Sequence, residues 1–478
     1  MYQVNIRNKT ILGEVRILNK KFLIFALIFL MIFSLNGNQI LAQKKIKLRL
    51  GIWPEPTLKS DIEMFEKWKR EFERKYPNVE VIPATYKYSP DTFVPLAESG
   101  NLPTIFETWF TEPQKLIAGK FVKDITNELK KKGWDKLMNP SVKEILSKDG
   151  RIYGVPRDAY ALGMYLNLEL FEKAGLMNPD GTPKYPKTWD ELVKVAKTIK
   201  EKTGRAGLCL LAKDNAGGWH FTQIAWNFGA KLEIQKNGKW YANLNSPEVI
   251  TAMNFVKDLK WKYDVLTDDP TSEDWGTGFE AIATGRSAMY LGAQDAVNQP
   301  TQVYGMPLDK LAIVPVPAGP KGHRFSLMGG TPYMFSAKAS SDEIMSALNF
   351  LEIMGKAPVV TPESLAGMKA DAENRVKNGV PVIPSFPAWI AQDWLKAQEE
   401  IVKQYRNVDM RLYNDYYNWI KQKGVLRPEE PYLTQDMYAE LTKVLQAVLT
   451  DRNADVKKLL DIANNNLQKM LDMYVNKK

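Results

Sequence analysis

DGRIYGVPRDAYALGMYLNLELFEKAGL, from Asp149 to Leu176, puts a Gly-Pro hairpin, an aromatic strand and a helix start in immediate succession. Asp149-Gly150 is turn chemistry, because both residue types tolerate the backbone angles of a tight reversal. The apolar ALGMYLN then reads as strand, and LELFEKAGL as the opening of a helix. A catalytic loop, a ligand-contacting hinge and plain scaffolding are all compatible with such a run. The rest of the chain decides among them.

Upstream, IKLRLGIW (Ile46 to Trp53) is a short β-rich run, and DIEMFEKWKREFERKYP carries Ile62, Phe65, Trp68 and Phe72 at helical spacing before Pro77 stops it. NVEVIPA, a helical stretch from Pro90 to Ser99, and LPTIFETW continue an alternation of strand and helix. That alternation predicts an α/β architecture with a parallel sheet covered on both faces. Ligands of such sheets meet the loops at the carboxyl ends of strands, which here carry Trp53 with Glu55 and Glu107 with Trp109. Downstream, Thr188 and Glu191 form a capping-box signal for WDELVKVAKTIKEKTG, followed by the strand run RAGLCLLAK. Helices GGWHFTQIAWNFG, PEVITAMNFVKDLKWKY and DWGTGFEAIATG make a second α/β set, with a strand-rich return at GGTPYMFSA. Beyond Ser341 the pattern is almost wholly helical.

Composition narrows the chemistry. The 478 residues are 45% hydrophobic and 25% charged, which is globular, and the length predicts two lobes. The only histidines are His220 and His323 and the only cysteine is Cys209, so metal sites built from His and Cys, disulfides and Cys-His pairs are poorly supplied. Cys209 lies in the apolar run GLCLL and reads as a buried strand residue. No GxSxG, HExxH or Walker A sequence occurs. GTGFEA (Gly276 to Ala281) follows an acidic SEDW rather than a strand, so it does not read as a dinucleotide loop. DDPTSED (Asp268 to Asp274) lacks the order of an EF-hand and reads as an exposed loop. No metal, no cofactor and no catalytic residue is therefore expected. Paired carboxylates for glycoside hydrolysis remain available among 55 acidic residues, without a pattern that selects them. Lys and Glu are interspersed on helices, so the net charge of +10 reads as a solvated surface and no nucleic-acid partner is expected.

Residues 1–42 read as a signal peptide: Lys20 and Lys21 precede the apolar FLIFALIFLMIF, and QILA ends at Ala42. The run is shorter than the about 20 residues of a membrane span, so export is favoured over an uncleaved anchor. LNKKFLIF would itself be an ordinary signal start, which points to a start codon downstream of Met1.

The aromatic supply is the positive feature. Ring faces stack on the C–H faces of pyranoses, while Asp, Glu, Asn, Gln and Arg bind the hydroxyls. Trp53, Trp109, Tyr160, Trp219, Trp275 and Tyr333 fall in loops or at strand ends, whereas Trp68, Trp261 and Trp419 lie within helical patterns and read as packing.

Taken in order, FEKWKREFERKYPNVEV, NLPTIFETW, GRIYGVP…MYLNLELFEKAGL, PKTWDELVKVAK, FEAIATGRSAMYLG, VPVPAGPKG and GGTPYMFSAKAS resemble the extracellular solute-binding proteins of carbohydrate ABC importers, the group that includes maltose-binding proteins. The resemblance covers essentially the whole mature chain. It implies a two-lobe fold, parallel-sheet lobes joined by crossing hinge strands, with residues 43–163 and 329–360 in the N-terminal lobe and 164–328 and 361–478 in the C-terminal lobe. YGVP…MYLN would be the first crossing and GGTPYMFSA the return. By matching strand ends, the resemblance carries ligand contacts onto Trp53, Glu55, Glu107, Trp109, Arg157, Tyr160, Trp219, Gln294, Asp295, Gly329 and Tyr333; Asp158 joins them beside Arg157, and Trp275 from the aromatic set. Two departures stand out: the usual Tyr-Asn at the crossing is Tyr165-Leu166-Asn167, and the lipid-bearing cysteine of many members is missing.

The expectation is a monomeric, exported receptor, periplasmic or extracellular, that closes on a carbohydrate and hands it to permease subunits of an ABC importer. An exported glycosidase or lyase, or a receptor for a non-sugar solute, stays open. Arg157 beside Asp158 would suit an acidic sugar or, equally, an inter-lobe salt bridge.

Overall fold

The computed structural model describes residues 45–476, and the expected signal peptide and start codon lie outside them. In chain order the strands are β1 (Ile46–Gly51), β2 (Val79–Pro83), β3 (Ile105–Glu107), β4 (Ser147–Lys148), β5 (Arg151–Ile152), β6 (Gly154–Asn167) and β7 (Ala206–Cys209). They continue with β8 (Glu233–Lys236), β9 (Lys239–Ala242), β10 (Ser287–Ala293), β11 (Leu311–Val314), β12 (Ser326–Phe335) and β13 (Leu426–Pro428). The main sheet runs β2-β1-β3-β12-β6-β10-β7, with β11 on β6 and β13 on β12. β1 pairs parallel with β2 and β3, and β10 parallel with β7, as helical crossovers require. The middle differs. β6 and β12 pair antiparallel to each other and carry the chain between the two parallel ends.

Two hydrophobic cores flank that middle. Val155 and Ala159 of β6 belong to the first core, and Ala161 through Leu166 to the second. On β12, Leu327 sits in the second core and Met328, Tyr333, Met334 and Phe335 in the first. Both strands thus change core at the same level, where Tyr160 opposes Gly329 and Ala161 opposes Met328.

The first core is built on Phe65, Trp68 and Phe72, the buried stripe of the helix Lys59–Lys75. The second is built on the helix Asp214–Asn227, buried almost all round, against the helix Thr434–Thr450. Glycine permits this packing: a Cβ at Gly218 would collide with the Tyr438 backbone. The Asp149-Gly150 turn joins β4 to β5 with φ of 51° and 73°, the left-handed pair that a two-residue hairpin demands.

The resemblance implies that residues 361–478 all lie in the C-terminal lobe, but Met368 and Ala372 of the helix Pro362–Lys377, and Trp394, Ala397 and Ile401 of the helix Gln392–Tyr405, lie in the first core. Trp389, between them, meets Trp134 of that core edge-on at 6.1 Å. Helical spacing marks an apolar face but not the lobe that covers it. Between those two helices Val380 and Ile383 touch the second core, and from Leu412 onward the buried residues stay with it.

Candidate functional site

Where β6 leaves the first core its polar residues gather at the seam. Arg157 donates from Nε to Asp158 Oδ2 and from Nη1 to Glu107 Oε2, both at 2.7 Å. Glu107 ends β3 directly opposite Tyr333 of β12. Two carboxylates therefore share one guanidinium. Desolvation raises the Glu107 carboxyl, with Arg157 opposing and Asp158 adding to the rise.

From the other lobe, β10 ends in a turn that presents Gln294 and Asp295. Asp295 is held above the ordinary carboxylate range by burial, reinforced by Asp158 and opposed by Arg157. The Tyr160 phenol, pushed up by burial, has Glu429, Asp295 and Trp219 about it. The structure thus brings Glu107, Arg157, Asp158, Tyr160, Trp219, Asp295, Gly329 and Tyr333 to one seam.

Four buried polar atoms at this seam have no hydrogen-bond partner: Tyr86 Oη, Thr108 Oγ1, Asp158 Oδ1 and Asp295 Oδ1. Buried polar groups are ordinarily paired, so such a concentration is unfilled bonding capacity.

Of the remaining expected residues, Trp109 borders the seam through Tyr88, which has Tyr86 and Thr108 about it, and the others are placed otherwise. Trp53 packs edge-on against Phe65 at 5.3 Å, and Glu55 is exposed and paired with Lys87 at 3.4 Å. Trp109 is 41% exposed, its ring edge-on to Tyr88 at 5.1 Å. Trp275 is 40% exposed over Phe279. Gln294 is buried and its amide is committed to Pro384 O at 3.0 Å, a scaffold bond. Of the loops set aside in the sequence, GTGFEA starts a helix capped by Asp274 and Thr277, and Asp269 of the acidic run closes a turn on Thr271. His220 accepts from Leu211 N at 3.0 Å, and burial holds its pKa down to about 3. Among the described residues no three His, Cys, Asp or Glu side chains converge as metal ligands.

Sequence reasoning missed a second polar group across the seam. Tyr88 Oη donates to Glu112, whose carboxyl burial raises. Facing it from the C-terminal lobe, Glu429 accepts from Tyr438 Oη at 2.6 Å and is pushed up to about 7 by burial, with Glu112 and Glu430 adding. Gln435 Nε2 donates to Thr111 Oγ1 at 3.0 Å and bridges the lobes, itself held by Asn215. TYKYSP, just past β2, carried the same strand-end aromatic signal as Trp53; PEEPY gave no periodicity to read. Two concavities of about 400 and 530 Å³, one around Arg324 and Trp419 and one around Lys310 and Asp409, share no residue with the seam.

Residues 56–358 match the model of the bacterial extracellular solute-binding protein family, and the chain belongs to that family. It is a family of exported binding proteins, which accords with the expected receptor rather than an enzyme. A binding protein of Brucella abortus is 27% identical over 303 residues, 60% of this chain and 68% of that one. The arabinooligosaccharide-binding protein of Bacillus subtilis is 24% identical over 56% of this chain and 60% of its own. Among solved structures, the maltose-bound MalE3 of T. maritima superposes with a TM-score of 0.64 at 20% identity, over 89% of this chain and 99% of its own; it shares the two-lobe fold.

Proposed function

We propose that the seam is the ligand cleft of a carbohydrate receptor, which closes on an oligosaccharide and delivers it to the permease of an ABC importer. The observation that carries this reading is the set of unpartnered atoms, Tyr86 Oη, Thr108 Oγ1, Asp158 Oδ1 and Asp295 Oδ1, the carboxylates beside Tyr160 and Trp219 and the hydroxyls beside Tyr88, on which Trp109 packs. Sugar hydroxyls both donate and accept, so one ligand class satisfies hydroxyls and carboxylates together. Aromatic faces then hold the apolar side of the ring. The arabinooligosaccharide for which the Bacillus subtilis relative is named belongs to the same class.

Arg157 speaks for a neutral sugar over an acidic one, because Glu107 and Asp158 already compensate its charge. Ligand contacts come from both sides of the Tyr160–Gly329 level, so binding favours the closed arrangement of the lobes. The receptor acts as a monomer outside the cytoplasm, in the periplasm where an outer membrane is present. Titration calorimetry against mono- and oligosaccharides of several linkages tests the reading. Saturable binding of at least one neutral glycan is expected; no heat from any of them would overturn it.

A further inference from the structure

The concavity of about 400 Å³ around Arg324 and Trp419 lies on the second core, apart from the seam. Arg324 comes from the loop between β11 and β12, and Tyr185 from the turn ahead of the helix Trp189–Thr203. Asp415, Asn418 and Trp419 share one face of the helix Asn414–Ile420 at spacings of three and four, with Gln422 just past its end. Val425, also in the wall, accepts from Ser326 N at 2.8 Å, so the concavity is fixed to the start of β12.

Hydrogen-bond donors in this wall lack acceptors. Arg324 commits only Nε, to Val316 O at 2.6 Å; its Nη2 is buried without a partner, and it forms no ion pair among the described residues. The guanidinium lies over the Trp419 ring, 5.5 Å from the centroid. Trp419 is 4% exposed, and its Nε1 is likewise buried without a partner. Asp415, the carboxylate of the wall, is engaged elsewhere: it accepts from Tyr185 Oη at 2.7 Å and stands 3.7 Å from Lys187 Nζ. Glu191, the other acid that acts on these cations, accepts from Lys187 N at 2.7 Å. Burial lowers the Lys187 ammonium, with Asp415 opposing and Arg324 adding to the fall; burial lowers the Arg324 guanidinium as well, against Tyr185 and Asp415.

A buried donor without a partner carries the full cost of its desolvation until an acceptor reaches it. An oxyanion brings several acceptor oxygens together with the negative charge that Arg324 lacks. A guanidinium laid flat on an indole is pre-organised to meet such a group in the plane of its fork. We propose that this concavity is a second ligand site, separate from the cleft, which binds a small carboxylate or phosphate anion against Arg324 and Trp419, with the amides of Asn418 and Gln422 for the remaining oxygens. Its volume lies at the small end of the roughly 300–1,000 Å³ of ligand pockets, room for one compact molecule. The site stands independently of what the cleft binds.

Calorimetry on the whole protein tests this with inorganic phosphate, acetate and glucuronate as probes, sodium chloride holding the ionic strength constant. At least one of the three should bind saturably, one per chain. Arg324→Gln should weaken that binding on the order of tenfold, the loss of a charge-assisted contact. Asn418→Asp is an isosteric change at an exposed position that adds a negative charge to the wall, so it should fold and should weaken the same binding. Circular dichroism checks both variants. Failure of all three probes to bind overturns the proposal. Binding that the folded variants leave unaltered also overturns it, because the anion then sits elsewhere, as on Arg157 in the cleft.

Discussion

Tyr160 lies over Gly329, its partner in the antiparallel register of β6 and β12, and a Cβ on that glycine would overlap the phenol, with Cε2 only 2.8 Å away. The two residues stand at the level where both strands pass from one core to the other. Gly329→Ala should therefore destabilise the protein by about 1–3 kcal/mol, the ordinary penalty for an overpacked site. The same change in a Tyr160→Ala background should cost much less, since the overlap is gone. Urea unfolding of the four proteins measures this; an identical cost in both backgrounds would show that the ring is not what excludes a side chain.

Arg157 is the shared counter-ion of Glu107 and Asp158. Arg157→Met leaves both carboxylates without it, and the loss should be on the order of 2 kcal/mol. That is below the about 3–5 kcal/mol of a fully buried pair, because the three side chains keep 24–30% exposure. The deficit should shrink at low pH, where protonation removes the repulsion. A stability loss that does not change with pH would argue against the charge-sharing role.

Glu429 is raised from 4.5 to about 7 in the folded protein, so between those values the native state holds a proton that the unfolded chain has released. Its contribution to stability is thus complete below about pH 4.5 and is lost as pH rises through 7. Glu112, raised by burial and facing it across the seam, acts in the same direction. The urea midpoint should fall from pH 5 to pH 8, and Glu429→Gln should flatten that slope. An unaltered slope in the variant would remove Glu429 as its source.

Trp109 and Trp219 should part company when truncated. Trp109 is 41% exposed, so Trp109→Ala should leave the melting temperature nearly unchanged and weaken sugar binding about tenfold or more. Trp219 is 8% exposed within the second core, and Trp219→Ala should cost about 3–5 kcal/mol of stability as well. Calorimetry and thermal melts of both variants distinguish them. A Trp109→Ala protein with full affinity would take that ring out of the site.

Much of the architecture was readable because local signals agree with it: alternating strands and helices, the Asp149-Gly150 turn and the N-cap at Thr188, whose side chain accepts from Glu191 N, although the Glu191 carboxylate accepts from Lys187 N and does not close the capping box. The Asn237-Gly238 hairpin between β8 and β9 carried an equally plain signal that the sequence reading passed over. Covering partners were not readable. The helix Gln392–Tyr405 has an evident apolar face, yet only tertiary packing assigns Trp394 and Ile401 to the first core. The site divided in the same way. Glu107 could be named from its strand end, and Asp295 from the family resemblance. Glu112, Glu429 and Gln435 could not, because their roles come from contacts over more than 300 residues of sequence, as between Thr111 and Gln435.

Repeated passages between the two cores also set an order of assembly. The first core holds residues from Leu48 to Ile401, and the second from Ala161 to Leu471. Neither can close until most of the polypeptide has emerged, and such long-range closure is slow. For an exported chain, slow closure of both cores would prolong the unfolded state in which it can be threaded across a membrane.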